Sequence, residues 1–214
     1  MLERPILRGR VNFPVCLAPM VGLTHGALRR VVRRYQPLGA QTIWPTEMLS
    51  SWKLPHQSLG ETPETLLFES EDGLVPQILG NEAEPIRKSI QALKNWGAQG
   101  IDINMGCPVK KALRHNYGVA LMGDPKYAAE VVSMAKTDQD LPVSVKLRSG
   151  FQSDPNYLKE FVQGLEAAGA EWITLHPRLA GEKRRGEADW SEVGELRAHL
   201  KCAVIGNGDI QTAA

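Results

Sequence analysis

The chain has 214 residues, 43% hydrophobic and 23% charged, which suits one soluble globular domain with a sizeable core. A formal net charge of +1 neither demands nor excludes a polyanionic partner, so any nucleic-acid contact must rest on local patches. Cys16, Cys107 and Cys202 lack CxxC pairing, which argues against a metal site or disulfide framework. With no apolar h-region in "MLERPILRGR" and no run of about 18 apolar residues, the expectation is a cytoplasmic protein without a membrane span.

In chain order, "VCLAPM" (15–20) reads as a strand and "HGALRRVVRRY" (25–35) as a helix. "QTIWPTEM" (41–48) and "LVPQILG" (74–80) read as strands, separated by a polar stretch in which "PETLLFES" stays unassigned. "EPIRKSIQALKNWG" (84–97) is a helix, since Ile86, Ile90, Leu93 and Trp96 recur at helical spacing and Gly97 stops it. "GIDINM" (100–105) is a strand, "PKYAAEVVSMAK" (125–136) a helix with Pro at its start, and "LPVSVKLRS" (141–149) a strand. "NYLKEFVQGLEAAG" (156–169) is a helix, "EWITLHPR" (171–178) a strand, "WSEVGELRAHL" (190–200) a helix and "CAVIGNGD" (202–209) a seventh strand.

Strands alternating with helices imply parallel βα units, in either a doubly wound sheet or a TIM barrel. Met20, Glu47, Gln77, Asn104, Lys146, His176 and Asn207 each fall at the end of an apolar run. Barrel enzymes collect active-site groups there from many strands, whereas a doubly wound sheet gathers them at one switch point. The absence of GxGxxG and GxxxxGK[ST] patterns points the same way. The expected fold is therefore a TIM (β/α)8-type barrel, incomplete at the C-terminus. It would be a single domain over 1–214 that carries strands one to seven.

Cys107 follows its strand between Gly106 and Pro108, where a loop can present sulfur as a nucleophile or a general acid. Cys16 and Cys202, each inside an apolar strand, read as packed small hydrophobes. Lys146 and Arg148 share a strand face and suit an anionic or carbonyl-rich ligand. His176 is as compatible with a structural role as with a site role. "GNGD" (206–209) lets backbone N–H groups approach a ligand closely, as in the phosphate sites after the last barrel strands. Arg29, Arg30, Arg33 and Arg34 read as a solvated helix face. Lys110, Lys111, Arg114 and His115 form a basic loop beside the cysteine that could steer a phosphate backbone, and Lys183, Arg184 and Arg185 could join it.

Together, "LAPMVGLT" (17–24), "TEM" (46–48), "VPQILG" (75–80), "GIDINMGCPVKK" (100–111), "VSVKLRSG" (143–150), "HPR" (176–178) and "NGDI" (207–210) resemble the tRNA-dihydrouridine synthase family. The resemblance implies an FMN-containing TIM barrel that reduces selected uridines in tRNA, with NADPH as reductant. It implies Cys107 as general acid toward C5 of uracil and Asn104 as holder of the pyrimidine edge. Pro19, Met20, Gln77, Lys146, His176, Asn207 and Gly208 would contact the flavin, with Arg148, Lys110, Lys111 and Arg114 toward the substrate. The uridine must be flipped out, since a stacked base hides its reacting atoms. The family's glycine-rich segment after the cysteine is here "RHNYGVALMGDP" (114–125), with only Gly118 in place. Its eighth strand, with a Gly-Arg pair for the FMN phosphate, and its C-terminal helical tRNA-binding domain are expected to be absent from this stretch. Two alternatives are a flavin barrel oxidoreductase acting on a free pyrimidine and a catalytically silent RNA-binding remnant.

Overall fold

The structure is a computed structural model that describes residues 3–69, 71–136, 141–182 and 185–212. Six parallel strands form one sheet in strict chain order. They are β1 (Trp44–Ser50), β2 (Leu74–Leu79), β3 (Ile101–Met105), β4 (Val143–Arg148), β5 (Trp172–His176) and β6 (Ala203–Gly206). The helices are α1 (Gly26–Arg33), α2 (Ala83–Trp96), α3 (Lys110–Arg114), α4 (Pro125–Ala135), α5 (Pro155–Ala167) and α6 (Trp190–His199).

The helices start and stop where local chemistry dictates. Asp124 and Asp154 cap α4 and α5 by accepting from the amides of Tyr127 and Tyr157, and Pro125 and Pro155 occupy the first turn. Gly97 ends α2 at φ 112°, a left-handed cap that a side chain would strain. On each strand alternate residues face the helices. Ile78, Ile103, Val145 and Ile173 are register neighbours across β2–β5 and are almost fully buried in one core with Ile86, Leu93, Val132 and Phe161.

The other face turns inward, and the sheet curls until its edges approach. Ile43 and Pro45 from the β1 side and Ile205 and Gly206 from β6 line one interior cavity. Ile6, Leu7 and Val11 plug its floor against Ile43, Val75, Trp172 and Ala203 near the strand starts. This is the curled, parallel βα architecture expected of a TIM-type barrel.

Four expectations are corrected. The segment 15–20 is not a strand, so the sheet has six strands among the described residues, not seven. Pro14 and Pro19 cannot donate to a ladder, and the neighbouring polar groups are used elsewhere. Thr42 Oγ1 donates to the Val15 carbonyl, Thr24 Oγ1 donates to the Ala18 carbonyl, and the Met20 amide donates to Thr24 Oγ1. Nor is the arginine face of α1 simply solvated. Arg29 is fully buried, donating from Nε to Glu71 at 2.7 Å and from Nη2 to the Leu66 carbonyl at 2.8 Å. Arg33 pairs with Asp72 and lies over the Trp44 ring, while Arg30 and Arg34 stay exposed. Cys16 and Cys202 lie outside the strands and are half-buried. Finally, Glu47, Gln77 and Lys146 sit within their strands, not at the ends.

Candidate active site

The inward face of β2–β5 carries a polar ladder where a barrel core is usually apolar. Asp102 is register partner to both Gln77 and Ser144, and Asn104 is partner to Lys146. A bulge between Pro45 and Met48 lets the Thr46 hydroxyl accept the Gln77 amide N–H, which seats Gln77 beside β3. Gln77 Nε2 donates to Asp102 Oδ2 at 2.7 Å, and Ser144 Oγ donates to Asp102 Oδ1 at 2.6 Å. Asn104 Nδ2 donates to Gln77 Oε1 at 2.8 Å. Asn104 Oδ1 then accepts the amides of Gly106 and Cys107, at 3.2 and 2.9 Å.

The Cys107 loop is thus held from beneath by a side chain. It is also held from above. The Val119 amide donates to the Cys107 carbonyl, and Gly118 sits at φ +61° against it. A Cβ on Gly118 would lie 2.8 Å from the Cys107 carbonyl oxygen and 3.2 Å from its Cβ. Gly118 therefore serves both a left-handed turn and a close approach. Arg148 passes next to this loop, its Cγ 3.6 Å from a Cβ built on Gly106, and its Nη1 donates to the Leu179 carbonyl. Burial lowers the Arg148 pKa, and Arg178 adds to the effect, while Cys107 and Glu182 oppose it.

The interior cavity is lined from the N-terminal segment by Cys16, Leu17, Ala18 and Pro19. From the strands Asp102, Ser144, Lys146, Trp172 and Thr174 contribute, followed by Asn207 and Ile210. Among the described residues no hydrogen bond or ion pair reaches Lys146 Nζ. Burial pulls its pKa down to about 8, with Asp102 opposing the fall. Burial pushes the neighbouring Cys16 thiol up to about 11 and raises the Asp102 carboxyl above its ordinary value. Cys16 is thus a neutral thiol near pH 7, and the lysine is the positive group facing the cavity.

His176, at the end of β5, is pushed down to about 4 by burial and by Lys146, Arg148 and Arg178. It is neutral near pH 7. Arg178 Nη1 lies 3.1 Å from His176 Nε2 and can only donate, so Nε2 accepts and Nδ1 carries the proton. Arg178 is fixed in turn by Asp209 at 2.6 and 2.7 Å. The "GNGD" segment does not form an open cradle along its whole length. The Trp190 ring covers Gly206 so closely that a Cβ would meet it at 2.2 Å, and Trp190 Nε1 donates to the Gly208 carbonyl. Gly208 packs on His176, where a Cβ would come within 2.9 Å of the ring.

The structure therefore gathers Cys107, Asn104, Gln77, Lys146, Arg148, His176, Asn207 and Gly208 around the inner face of one sheet. Pro19 lines the cavity, while Met20 is 37% exposed on the neighbouring loop. That loop is anchored by the Gly22 amide donating to the buried Glu47 carboxylate. Lys110, Lys111 and Arg114 lie on the short exposed helix α3, directly after the cysteine loop. Arg185 is exposed, and Lys183 and Arg184 lie outside the described residues. Sequence reasoning missed Asp102, Ser144, Thr174 and Arg178 as site residues. The signal was there in the period of two, since Asp102 precedes Asn104, Ser144 precedes Lys146 and Arg178 follows His176 by two residues.

Among known proteins, a family model described as dihydrouridine synthase matches residues 16–214. A "Probable tRNA-dihydrouridine synthase" of Rhodobacter capsulatus is 35% identical over 207 residues, covering 96% of this chain and 62% of that protein. "Probable tRNA-dihydrouridine synthase 1" of Synechocystis is 34% identical, covering 92% of this chain and 54% of that protein. tRNA-dihydrouridine synthase B of Pasteurella multocida is 30% identical, covering 93% and 59%. The chain spans less than two thirds of the length of these relatives. Among solved structures, a "putative deoxyribose-phosphate aldolase" from Coccidioides immitis superposes with a TM-score of 0.51 at 11% identity. That match covers 97% of this chain and 78% of the other, and at such identity it speaks to the fold alone.

Proposed function

The chain belongs to the dihydrouridine synthase family, and we propose that it is the catalytic barrel of an FMN-dependent, NADPH-driven tRNA-dihydrouridine synthase. The observation that carries this reading is the arrangement around Cys107. The backbone of a thiol-bearing loop is held at the end of a strand by Asn104, whose register partner Lys146 lines the interior cavity with no hydrogen-bond or ion-pair partner among the described residues.

The residues present fit a flavin. Lys146 offers a positive group that no protein acceptor satisfies among the described residues, suited to the electron-rich end of a reduced isoalloxazine ring. Pro19 and Asn207 line the same cavity, and His176 holds its Nδ1–H free of the Arg178 contact. Met20, Gln77 and Gly208 complete the proposed flavin surround. When bound, FMN reduced by NADPH supplies the hydride that adds to C6 of uracil.

The chain's own residues do the rest. Cys107 Sγ gives its proton to C5, so the C5–C6 double bond becomes a single bond and the thiolate is reprotonated from water. Arg148, beside Gly106, stabilises the thiolate between these steps. Asn104 has one Nδ2 hydrogen left after bonding Gln77, and that hydrogen is its means of holding a pyrimidine carbonyl. Lys110, Lys111 and Arg114 on α3 receive the tRNA backbone next to the flipped base.

The test is the visible absorption of the purified chain before and after NADPH, followed by dihydrouridine formation on unmodified tRNA. Flavin bands that bleach, and tRNA reduced far faster than free uridine, are expected. Equal rates on free uridine and tRNA would replace this reading with a free-pyrimidine reductase. RNA binding without flavin would leave only an RNA-binding remnant.

A further inference from the structure

The hydrogen bonds from Asp102 to Cys107 run in one sense only. Asp102 Oδ1 takes the Ser144 hydroxyl, so Oδ2 is an acceptor for Gln77 whether or not the carboxyl holds a proton on Oδ1. Gln77 must then present Nε2 to Asp102 and Oε1 to Asn104. Asn104 must in turn present Nδ2 to Gln77, which leaves Oδ1 for the Gly106 and Cys107 amides. At the far end those amides can only donate, so both ends of the chain demand the same orientation. A flipped Gln77 would set Nε2 against Asn104 Nδ2 and oxygen against oxygen at Asp102. Such conflicts are costly in a buried place, and Asp102, Gln77 and Asn104 are all buried.

We propose that Asp102 is a positioning residue for the thiol. Together with the donor-only amides at the far end, it fixes two amide side chains in series and thereby tightens the seat of the Cys107 loop, three residues beyond Asn104. The geometry of this relay is independent of the flavin reading, but its consequence for turnover rests on that reading. The relay also gives a role to a desolvated carboxylate in the middle of a barrel, where it borders the cavity and bonds Gln77 and Ser144. An apolar residue there would strip Gln77 Nε2 of its acceptor and leave the loop's seat held from the backbone-amide end alone.

The relay predicts a specific rescue. In Asp102→Asn the side chain at position 102 can donate or accept, so the orientation of Gln77 is fixed from the Asn104 end alone. In the swap D102N/Q77E, the amide introduced at position 102 still accepts from Ser144 and donates to the carboxylate introduced at position 77. The other oxygen of that carboxylate still accepts from Asn104, and the total charge is unchanged. The readout is amide hydrogen exchange at Gly106 and Cys107 in the 15N-labelled chain, with Val145 and Ile173 as controls for the intact sheet. D102N should speed exchange at the first pair about tenfold or more, the scale of one lost charge-assisted hydrogen bond. The swap should bring it back to within about threefold of the parent. Gln77→Met, which keeps volume and breaks both bonds, should speed the same two amides if D102N does not fold.

Unchanged exchange at Gly106 and Cys107 in D102N or Q77M, with controls intact, overturns the relay. So does a swap that fails to restore it. Dihydrouridine formation on tRNA in the same variants should fall and recover in step. Exchange that behaves as expected while turnover stays flat keeps the relay and refutes Cys107 as the acid. Turnover that falls with exchange unchanged refutes the relay.

Discussion

Replacing Lys146 with methionine should stabilise the fold while emptying the proposed flavin site of its cation. Met keeps the length of the stem and removes the charge. Burial lowers the lysine from its ordinary value of 10.5 to about 8. By linkage that fall corresponds to about 3 kcal/mol of cost for the charged form in the folded chain. The side chain is only half-buried beside a cavity that water can enter, so screening reduces this to about 1–2 kcal/mol. The sign follows from the direction. Because the folded pKa lies below the unfolded one, the cost is fully present below about pH 8, where both states are protonated. It fades between about 8 and 10.5, where the unfolded chain holds a proton that the folded chain has released. Urea denaturation of the flavin-free chain should therefore show K146M more stable near pH 6.5 by about 1–2 kcal/mol, with the gap narrowing toward pH 9.5. Reconstitution with FMN should be weakened in the same variant. A Met variant less stable than the parent at pH 6.5 would show that the ammonium is stabilised in place, and would refute the argument.

Gly118→Ala should cost about 2–4 kcal/mol, combining a left-handed backbone with a Cβ driven against the Cys107 carbonyl. Denaturation midpoints measure it, and a loss under about 0.5 kcal/mol would contradict the packing described. Arg29→Ala should lose about 3–5 kcal/mol, because it leaves the buried Glu71 carboxylate with only the longer 3.5 Å contact to Arg33 Nε. If thermal melts of the variant match the parent, the pair is not the anchor of α1. Ile103→Ala, in the middle of β3 facing the helices, should cost about 2–5 kcal/mol by calorimetry without altering the flavin spectrum. A lost spectrum in a folded variant would mean that the two faces of the sheet are coupled more tightly than the structure implies.

Much of this was legible from the chain itself. The helices of "EPIRKSIQALKNWG" and "NYLKEFVQGLEAAG" declared themselves by spacing and by their closing glycines, and α2 and α5 match within two residues at each end. The strands of "GIDINM" and "VSVKLRS" were readable because barrel strands face helices on one side and so keep a run of apolar residues. What failed was whatever depended on partners distant in sequence. "VCLAPM" looks like a strand, but Pro19 within it, Pro14 just before it, and Thr24 and Thr42 direct its polar groups elsewhere. Arg29 looks solvated until Glu71, 42 residues on, is brought against it. The site suffered the same limit. Asn104, Gln77 and Lys146 were found because polar residues interrupt apolar runs, while Asp102 was passed over although it interrupts one too. Its meaning lies in two bonds, to Gln77 and Ser144, that only the sheet register creates.

The central claim is that Cys107 delivers a proton to uracil next to a flavin held by this barrel. The direct test is Cys107→Ala, measured for retained flavin, for bleaching by NADPH, and for dihydrouridine formed on unmodified tRNA. The account predicts that flavin and bleaching survive and that tRNA reduction falls by about a hundredfold or more, the scale of a lost general acid. Unchanged tRNA reduction in the alanine variant would contradict it.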